Sequence, residues 1–250
     1  IKKSGIVDNL EVTSIADIPA GSGLGSSSSY TVGLVSVLRA YNHKFALKNE
    51  LAEIACDLEI NILRKPIGRQ DQYAASYGGL NLIEFKKNNQ VSVSPIVMEK
   101  GYLKEMESRF LMFYTGEKRS ADDILSEQAS NLEKNQSYID STTKLVKLTY
   151  ELFDQLNNNN INNIGNILDQ GWQIKKSLAN GITNDYVNSL YDRAMNAGAD
   201  GGKLLGAGKS GFILLYANKK YHASIRNALK LRELVFSFEN QGSSIIYNQN

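Results

Sequence analysis

The chain has 250 residues, 42% of them apolar and 22% charged, which is enough to bury the core of one large domain or two smaller ones. A net charge of +2 without a basic stripe interleaved with aromatic residues gives no reason to expect nucleic acid as a partner, and no apolar run approaches the roughly 18 residues of a membrane span. One cysteine and two distant histidines exclude an intrachain disulfide framework, argue against a zinc site and a Ser-His-Asp triad, and predict a cytoplasmic protein.

The apolar pattern of the first half changes between the period of strands and that of helices. In chain order it predicts a strand at residues 10–18, helices at 27–41 and 47–63, a short helix at 73–77, and strands at 80–85 and 91–97 joined by a turn at Asn88 and Asn89. Pro66 and Gly68 end the second helix.

The second half is mainly helical until a second glycine-rich segment. It predicts a strand at residues 110–114, helices through 120–195 with a polar loop at 157–163, a glycine-rich loop at 201–211, a strand at 212–216, a helix at 221–231 and closing strands at 233–238 or 243–247. Strands and helices in mixed order, with an adjacent hairpin, predict an α+β protein. We divide the chain into two domains, residues 1–105 and 106–250.

The loop before the first long helix carries the strongest functional signal. Gly21, Gly23 and Gly25 are followed by four serines, at residues 26–29. Glycine permits positive φ and close approach of a ligand, and a helix start offers unpaired N–H groups and the positive end of its dipole. This combination suits a phosphate, and a serine hydroxyl is a possible Mg²⁺ ligand. The alternative is a glycine-rich turn with a serine N-cap, which explains one serine rather than four.

Two carboxylates lie close to each other along the chain. Asp71, flanked by amides and by Arg69, could accept a proton from a substrate hydroxyl or orient it. The alternative is that Asp71 caps the short helix beginning near Gln72. Glu59 is either a solvated surface charge or a Mg²⁺ ligand, since Mg²⁺ usually takes one or two carboxylates together with phosphate oxygens.

Other segments leave two interpretations open. The glycines at 206, 208 and 211 either bring the main chain to a ligand or allow tight packing of the loop. Arg119, at a predicted strand-to-helix junction, is either a surface arginine or one that binds a phosphate or sugar. Trp172 and Cys56 are expected in the core, and Lys175 and Lys176 on a solvated face.

These segments together resemble the GHMP kinase superfamily, named for galacto-, homoserine, mevalonate and phosphomevalonate kinases. Residues 19–28, Pro-Ala-Gly-Ser-Gly-Leu-Gly-Ser-Ser-Ser, are similar to the family's Pro-x-x-x-Gly-Leu-Gly-Ser-Ser motif around the ATP phosphates, and residues 205–212 resemble its C-terminal glycine motif. Lys209 departs from the small residue usual there and puts the shape of that loop in question. Residues 68–75, 78–81 and 115–121 look most like the branch of bacterial heptose kinases, with which fucokinase domains share much of the pattern.

The resemblance implies a two-domain fold with a ribosomal-protein-like N-terminal α/β domain, incomplete here, and a ferredoxin-like C-terminal domain. It implies ATP and Mg²⁺ as cofactors and a sugar or sugar phosphate as acceptor; the heptose branch phosphorylates the anomeric hydroxyl of D-glycero-D-manno-heptose 7-phosphate. By the same resemblance Asp71 is the catalytic aspartate, and Ser27 and Glu59 are the Mg²⁺ ligands. The implied nucleotide-binding residues are Pro19, Gly21, Ser22, Gly23, Leu24, Gly25, Ser26, Ser27 and Ser28, and the implied substrate-binding residues are Gly68, Arg69, Gln72, Tyr73, Arg119, Gly206 and Gly208.

The family's N-terminal motif for the sugar is absent, and the chain opens at Ile1 rather than at a methionine. We therefore expect an N-terminal segment to be missing from this sequence. Two alternatives stay open: a fucokinase-like or other small-molecule kinase of the same superfamily, and a nucleotide- or anion-binding protein without catalysis.

Overall fold

The computed structural model describes residues 10–18, 21–116, 136–179, 181–206 and 208–247. The helices in chain order are α1 (Ser26–Tyr41), α2 (Lys48–Cys56), α3 (Gln70–Tyr77), α4 (Lys100–Arg109), α5 (Gln136–Asn157), α6 (Ile164–Lys176), α7 (Asp185–Asn196) and α8 (His222–Leu229), with a π-helical segment at Asp57–Ile62 and a 3-10 turn at Lys219–Tyr221. The strands are β1 (Asn81–Phe85), β2 (Val91–Pro95), β3 (Phe110–Tyr114), β4 (Gly201–Leu204), β5 (Phe212–Tyr216) and β6 (Arg232–Glu233). The α+β prediction is confirmed.

Helices α1, α2 and α3 pack against one another, because each buries one side of its surface. Val32 and Val35 on α1 share a cluster with Leu51 and Ala55 on α2, at spacings that place each pair on one helix face. Strands β1 and β2 form the predicted antiparallel hairpin, and Asn89 takes a left-handed φ of 62° at its turn.

The second half is built on a four-stranded antiparallel sheet in the order β4-β5-β3-β6. Helices α6, α7 and α8 pack against this sheet through apolar side chains. The largest buried members of this core are Leu111, Phe113, Trp172, Ile182, Leu190, Leu204, Ile213, Leu215 and Ile225. This arrangement corresponds to the ferredoxin-like domain that the resemblance implied.

Most predicted helices of the second half are confirmed, with α5 and α6 inside residues 120–195, α7 ending one residue beyond that range, and α8 inside 221–231. Helix α4 was not predicted, because Met106 is its only fully buried residue and an apolar stripe is lacking. The boundary between the two predicted domains falls within α4, and the domain ranges stay a prediction. No helix in the described part of the chain is long and apolar enough to cross a membrane.

Three predictions about strands are wrong. Residues 10–18 pair with no strand in the described part of the chain, and Ile15 is 92% exposed, so the alternation there lines no sheet face. The closing strand is only β6: Leu234 still donates to the carbonyl of Met112, at 2.8 Å, and the chain then leaves the sheet. The glycine-rich residues 201–204 are strand β4 rather than loop, because α6 packs so closely on Gly201 that no side chain fits there.

After β6 the chain returns to the first half and docks beside α3. Ser243 donates its N–H to the carbonyl of Ala75 at 3.0 Å, and the Lys48 ammonium donates to the carbonyl of Gln241 at 2.8 Å. Gly242, with φ of 69°, makes the turn that brings this segment against the helix. The segment therefore forms one wall of the cleft above α3.

Candidate active site

The predicted phosphate loop leads directly into α1. Gly21, Gly23 and Gly25 have φ of 75°, 83° and 67°, values that L-residues rarely adopt. Alternating left-handed residues turn successive N–H groups toward one concavity, an arrangement that binds anions. Gly25 is the N-cap residue of α1 and no side chain caps the helix, so the alternative of a serine N-cap is wrong. The first-turn N–H groups of α1 point at the same concavity.

Glu59 is buried beneath this loop, with no exposed surface. It lies on the π-helical segment, where the N–H of Leu63 donates to the carbonyl of Leu58 at 2.9 Å, five residues back, and this wider turn rotates the chain relative to α2. The Ser27 hydroxyl donates to Glu59 Oε1 at 2.6 Å, and the Ser28 hydroxyl to Oε2 at 2.7 Å. The interpretation of Glu59 as a solvated surface charge is therefore wrong.

The surroundings of Glu59 keep it ionised. Burial opposes the charge, but hydrogen bonds from Ser27, Ser28, Gln72 and Lys65 outweigh it and hold the pKa of Glu59 below its ordinary value. The Gln72 amide contributes a donor at 2.7 Å and is itself fully buried. Gln72 thus lies at the base of the site and supports the carboxylate.

Lys65 supplies a cation at this carboxylate that the sequence interpretation missed. Its ammonium lies 2.6 Å from the Ser27 hydroxyl and 3.2 Å from Glu59 Oε1. A positive charge is therefore accommodated between the two residues predicted to bind Mg²⁺. One hydroxyl and one carboxylate, completed by phosphate oxygens, is a donor set that Mg²⁺ accepts, so these residues fit the ion.

Asp71 lies on the first turn of α3, immediately beside the end of the phosphate loop. A β-carbon added at Gly25 would be 3.2 Å from the Asp71 carboxyl carbon, and the φ of 67° also favours glycine there, so the carboxylate lies close against the loop. Helix α3 begins at Gln70, so Asp71 is inside the helix and the capping alternative is wrong. Asp71 opens on one side into a cleft of about 580 Å³ that Leu24 and Ser243 also line.

The protein around Asp71 favours its neutral form. Burial, with a smaller contribution from the negative charge of Glu59, raises the pKa of Asp71 above its ordinary value, and Lys175 partly opposes this. A carboxylate with a raised pKa is a better proton acceptor, which suits a group that takes a proton from a hydroxyl.

The second glycine loop, described at residues 205–206 and 208–211, packs directly on the first. A β-carbon at Gly206 would lie 2.6 Å from the Cα of Gly23, and one at Gly211 would lie 2.5 Å from the carbonyl of Ser22. Gly208 instead packs against the backbone of Ile182, away from the first loop. The interpretation as a tightly packed loop is therefore confirmed, and the approach of its main chain to a ligand stays a prediction.

Lys175 reaches this loop from the end of α6, so its assignment to a solvated face is wrong. Its ammonium donates to the carbonyl of Gly206 at 2.7 Å. Burial, together with the positive charge of Lys203, lowers the pKa of Lys175 to about 8, and Asp71 partly offsets this. The next residue, Lys176, differs: its ammonium lies 5.8 Å from the ring centre of Trp172.

Lys209 fits the loop despite its departure from the family motif. It takes a left-handed φ of 62°, the conformation for which glycine is favoured. Its N–H donates to the carbonyl of Ile182 at 2.9 Å, and its side chain covers Gly181. The lysine thus preserves the backbone shape that a glycine would give.

Several predicted substrate-binding residues lie outside the cleft of Asp71. Arg69 and Tyr73 both contact the Glu53 carboxylate, and the Arg69 guanidinium stands 5.9 Å from the ring centre of Phe85. Gly68 is exposed in the segment before α3. Their role in binding substrate stays a prediction, and the structure does not bring them to Asp71.

Two of the predicted residues, Pro19 and Arg119, lie outside the described residues. Ser22 is buried in the first loop, and its hydroxyl has no hydrogen-bond partner among the described residues. Ser26 begins α1, so its N–H is among those at the helix start. Trp172 and Cys56 are buried, as predicted.

The lysines of the site could not be assigned from spacing. Lys175 and Lys176 stand three and four residues after the buried Trp172, so both are compatible with the same side of α6. The two lysines differ only in the folded structure, where the Gly206 carbonyl lies within reach of Lys175. Lys65 is brought to Glu59 by the π-helical segment, which no periodicity in the sequence indicates.

Comparison with known proteins agrees with this geometry. Residues 1–79 match the N terminal domain of the GHMP kinases and residues 152–232 their C terminal domain. Over 231 residues the chain is 31% identical to the D-glycero-alpha-D-manno-heptose 7-phosphate kinase of Campylobacter jejuni, a match that covers 91% of this chain and 68% of that protein. It is 30% identical over 228 residues to the L-fucokinase/L-fucose-1-P guanylyltransferase of Bacteroides fragilis, covering 87% of this chain and 23% of that protein.

The chain is also similar to the solved structure of a heptose phosphate kinase. The crystal structure of a D-glycero-D-manno-heptose 1-phosphate kinase from Bacteroides thetaiotaomicron is 28% identical and has a TM-score of 0.65, with 93% of this chain and 66% of that one covered. The chain spans about two thirds of the length of the heptose phosphate kinases that it matches. The two matched domains and the relative at 31% identity show that this chain belongs to the GHMP kinase family.

Proposed function

We propose that this protein transfers the γ-phosphoryl group of ATP to a sugar phosphate, at the anomeric hydroxyl of a D-glycero-D-manno-heptose phosphate. One observation carries the proposal: the Asp71 carboxylate lies against Gly25, where the phosphate loop enters α1. A proton acceptor beside a phosphate cradle is the arrangement that transfer to a hydroxyl requires. The choice of a heptose phosphate rests on the names of the relatives and not on a contact in the cleft.

Catalysis would come mainly from positioning and electrostatics. The N–H groups of residues 21–28 would hold the nucleotide phosphates, and Mg²⁺ bound by Ser27 and Glu59 would offset their negative charge. Asp71 would orient the acceptor hydroxyl and take its proton as the oxygen attacks the γ-phosphorus. Gln72 keeps Glu59 in place from below. Binding of ATP is expected of the family, whereas the Mg²⁺ role and the cytoplasmic location stay predictions.

The direct test replaces Asp71 by Asn, which keeps the size of the side chain and removes the proton acceptor. We expect kcat for release of ADP in the presence of the heptose phosphate to fall by about 10²–10⁴-fold, as is typical for loss of a general base. Nucleotide affinity, measured by calorimetry, should change little. Asp192→Asn on the exposed face of α7 is the matched control and should keep full activity.

The result also separates the alternatives. A near-normal kcat for Asp71→Asn would remove the catalytic role of Asp71. A wild-type protein that binds ATP but releases no ADP with any sugar or sugar phosphate would be a nucleotide-binding protein and not a kinase. Activity on fucose that exceeds activity on the heptose phosphate would favour the fucokinase-like alternative.

A further inference from the structure

We propose that Lys175 and Lys203 form a phosphoryl-binding pair beside the second glycine loop. The ligand would be a phosphoryl dianion, either the γ-phosphoryl group in transfer or the phosphate that the acceptor already carries. The assignment to these two sources rests on the proposed function. The existence of an anion site does not, because it follows from the placement of the two lysines.

The fold brings the two lysines together from different elements. A β-carbon at Gly201 of β4 would face Asp169 of α6, 3.1 Å from its β-carbon, so this face of β4 lies against α6. Side chains two residues apart on a strand point to the same face, so Lys203 also faces α6. Lys175, at the C-terminal end of α6, donates to the carbonyl of Gly206, which follows β4 in the chain. The Lys203 side chain therefore lies on the face of β4 that packs against α6, the helix that carries Lys175, and the two charges are close enough to interact.

This position borders the site already described. Gly206, which accepts from Lys175, packs on Gly23 of the phosphate loop, and Gly25 of that loop packs on Asp71. Lys175 is thus one residue layer away from the loop that would hold the nucleotide phosphates. Lys65 stands with Ser27 and Glu59, so the three lysines would approach bound phosphoryl groups from separate segments.

The positive charges of Lys175 and Lys203 are not neutralised by a neighbouring carboxylate of the described residues. Burial lowers the pKa of Lys203, and burial together with Lys203 lowers that of Lys175. Within the described ranges neither ammonium has a carboxylate at ion-pair distance, and Asp71 is the acidic group that acts on Lys175 from farther away. Two partly buried cations side by side are unfavourable unless an anion is bound between them.

A purely structural role does not account for the pair. If Lys175 only tethered the Gly206 carbonyl, it would use one of the three donors of an ammonium and would gain nothing from a second lysine beside it. A dianion uses the remaining donors of Lys175 and those of Lys203. The arrangement fits a ligand that carries two negative charges.

The test uses the full chain with Lys175→Gln, Lys203→Gln and, as matched control, Lys176→Gln, which removes the same charge from the adjacent residue over Trp172. Binding of inorganic phosphate in the presence of ADP is measured by calorimetry, and thermal unfolding checks that each variant folds. We expect at least about tenfold weaker phosphate binding for the first two variants and a change below about twofold for the control. If Lys203→Gln fails to fold, Lys175→Gln and Lys175→Arg carry the test, since Arg retains the charge and should retain binding.

Steady-state kinetics with the unphosphorylated heptose and its 7-phosphate separate the two sources. A rise in KM for the sugar phosphate alone assigns the pair to the phosphate of the acceptor. An equal fall in kcat for both sugars, at unchanged KM, assigns it to the transferred group. Phosphate binding and kinetics indistinguishable from Lys176→Gln would overturn the proposal. A wild-type protein without kinase activity would remove the proposed function, and the phosphate titration would still decide whether the anion site exists.

Discussion

At the scale of single residues, the site is a set of ionisable groups whose pKa values the fold moves in useful directions. The hydrogen-bond donors around Glu59 lower its pKa, whereas burial raises the pKa of Asp71. Two carboxylates near one loop are thus shifted in opposite directions, which fits the proposed division into an electrostatic task for Glu59 and proton transfer for Asp71. The sequence was sufficient to select both carboxylates as candidate site residues. The direction of each pKa shift depends on burial and hydrogen bonding, which the sequence does not give.

The same shifts predict a bell-shaped pH profile of kcat/KM. Activity should fall as the pH decreases through the raised pKa of Asp71, because the protonated carboxyl accepts no proton. It should also fall as the pH rises above about 8, where Lys175 loses its charge. Lys175→Arg should move the alkaline limb to higher pH, since a guanidinium stays charged.

Lys203, the other cation of the pair, also has a lowered pKa, so Lys203→Arg is the companion variant. The expectation is contradicted if wild-type activity stays flat to about pH 10, or if both arginine variants keep the alkaline limb of the wild type. The acid limb should be the same in all three proteins, because Asp71 is unchanged in them.

At the scale of elements, the two glycine loops depend on each other. Gly206→Ala would place a methyl group 2.6 Å from the Cα of Gly23 and strain a residue at φ of 80°, so the loops must separate. We expect ATP affinity to fall by at least about tenfold and the free energy of unfolding by about 1–3 kcal/mol. Calorimetric titration and denaturant unfolding measure the two effects.

The matched control is Gly101→Ala in α4, where an added β-carbon meets no atom within 4 Å and φ is not positive. This variant should leave ATP affinity unchanged and stabilise the protein by at most about 0.5 kcal/mol, because alanine favours helix but residue 101 lies in the first turn of α4. A Gly206→Ala protein that binds ATP as the wild type does would show that contact between the loops is not required for the nucleotide site.

Elements with an amphipathic pattern were predictable, and those defined by contacts with distant residues were not. Helix α1 and the hairpin of β1 and β2 carry their period in the sequence. The π-helical segment continues the apolar pattern of α2, so the sequence does not distinguish it from that helix. It nevertheless places Glu59 in the site. Strand β4 begins with two glycines: α6 packs too closely on Gly201 for a side chain, and β5 packs too closely on Gly202. A glycine-rich sequence alone favours a loop.

At the scale of the whole molecule, the site joins segments that are far apart in the chain. Bound nucleotide should therefore protect α1, the second glycine loop and the end of α6 together. Hydrogen exchange followed by mass spectrometry should show slower exchange at residues 21–29, 172–176 and 205–206 after addition of ATP with Mg²⁺, by about tenfold or more at 100 times Kd.

Residues 222–229 of α8 serve as the internal reference, since α8 packs on the sheet through Ile225 and Leu229. Protection confined to residues 21–29 would mean that the second glycine loop and α6 take no part in the nucleotide complex. Protection spread evenly over α8 as well would indicate general stabilisation and not a local site.

The lysines that surround the phosphate loop also decide whether that loop can be moved into another protein. A phosphate loop that contains its own lysine can be transferred as a short peptide, because that peptide carries both the backbone amides and the cation. Here the cations stand at residues 65, 175 and 203, and the fit of the loop depends on Gly206 and Asp71. A graft of residues 19–29 into a foreign scaffold would therefore keep the sequence motif and lose the affinity for phosphate. The smallest unit that could be transferred with its affinity includes both glycine loops and the elements that carry the three lysines.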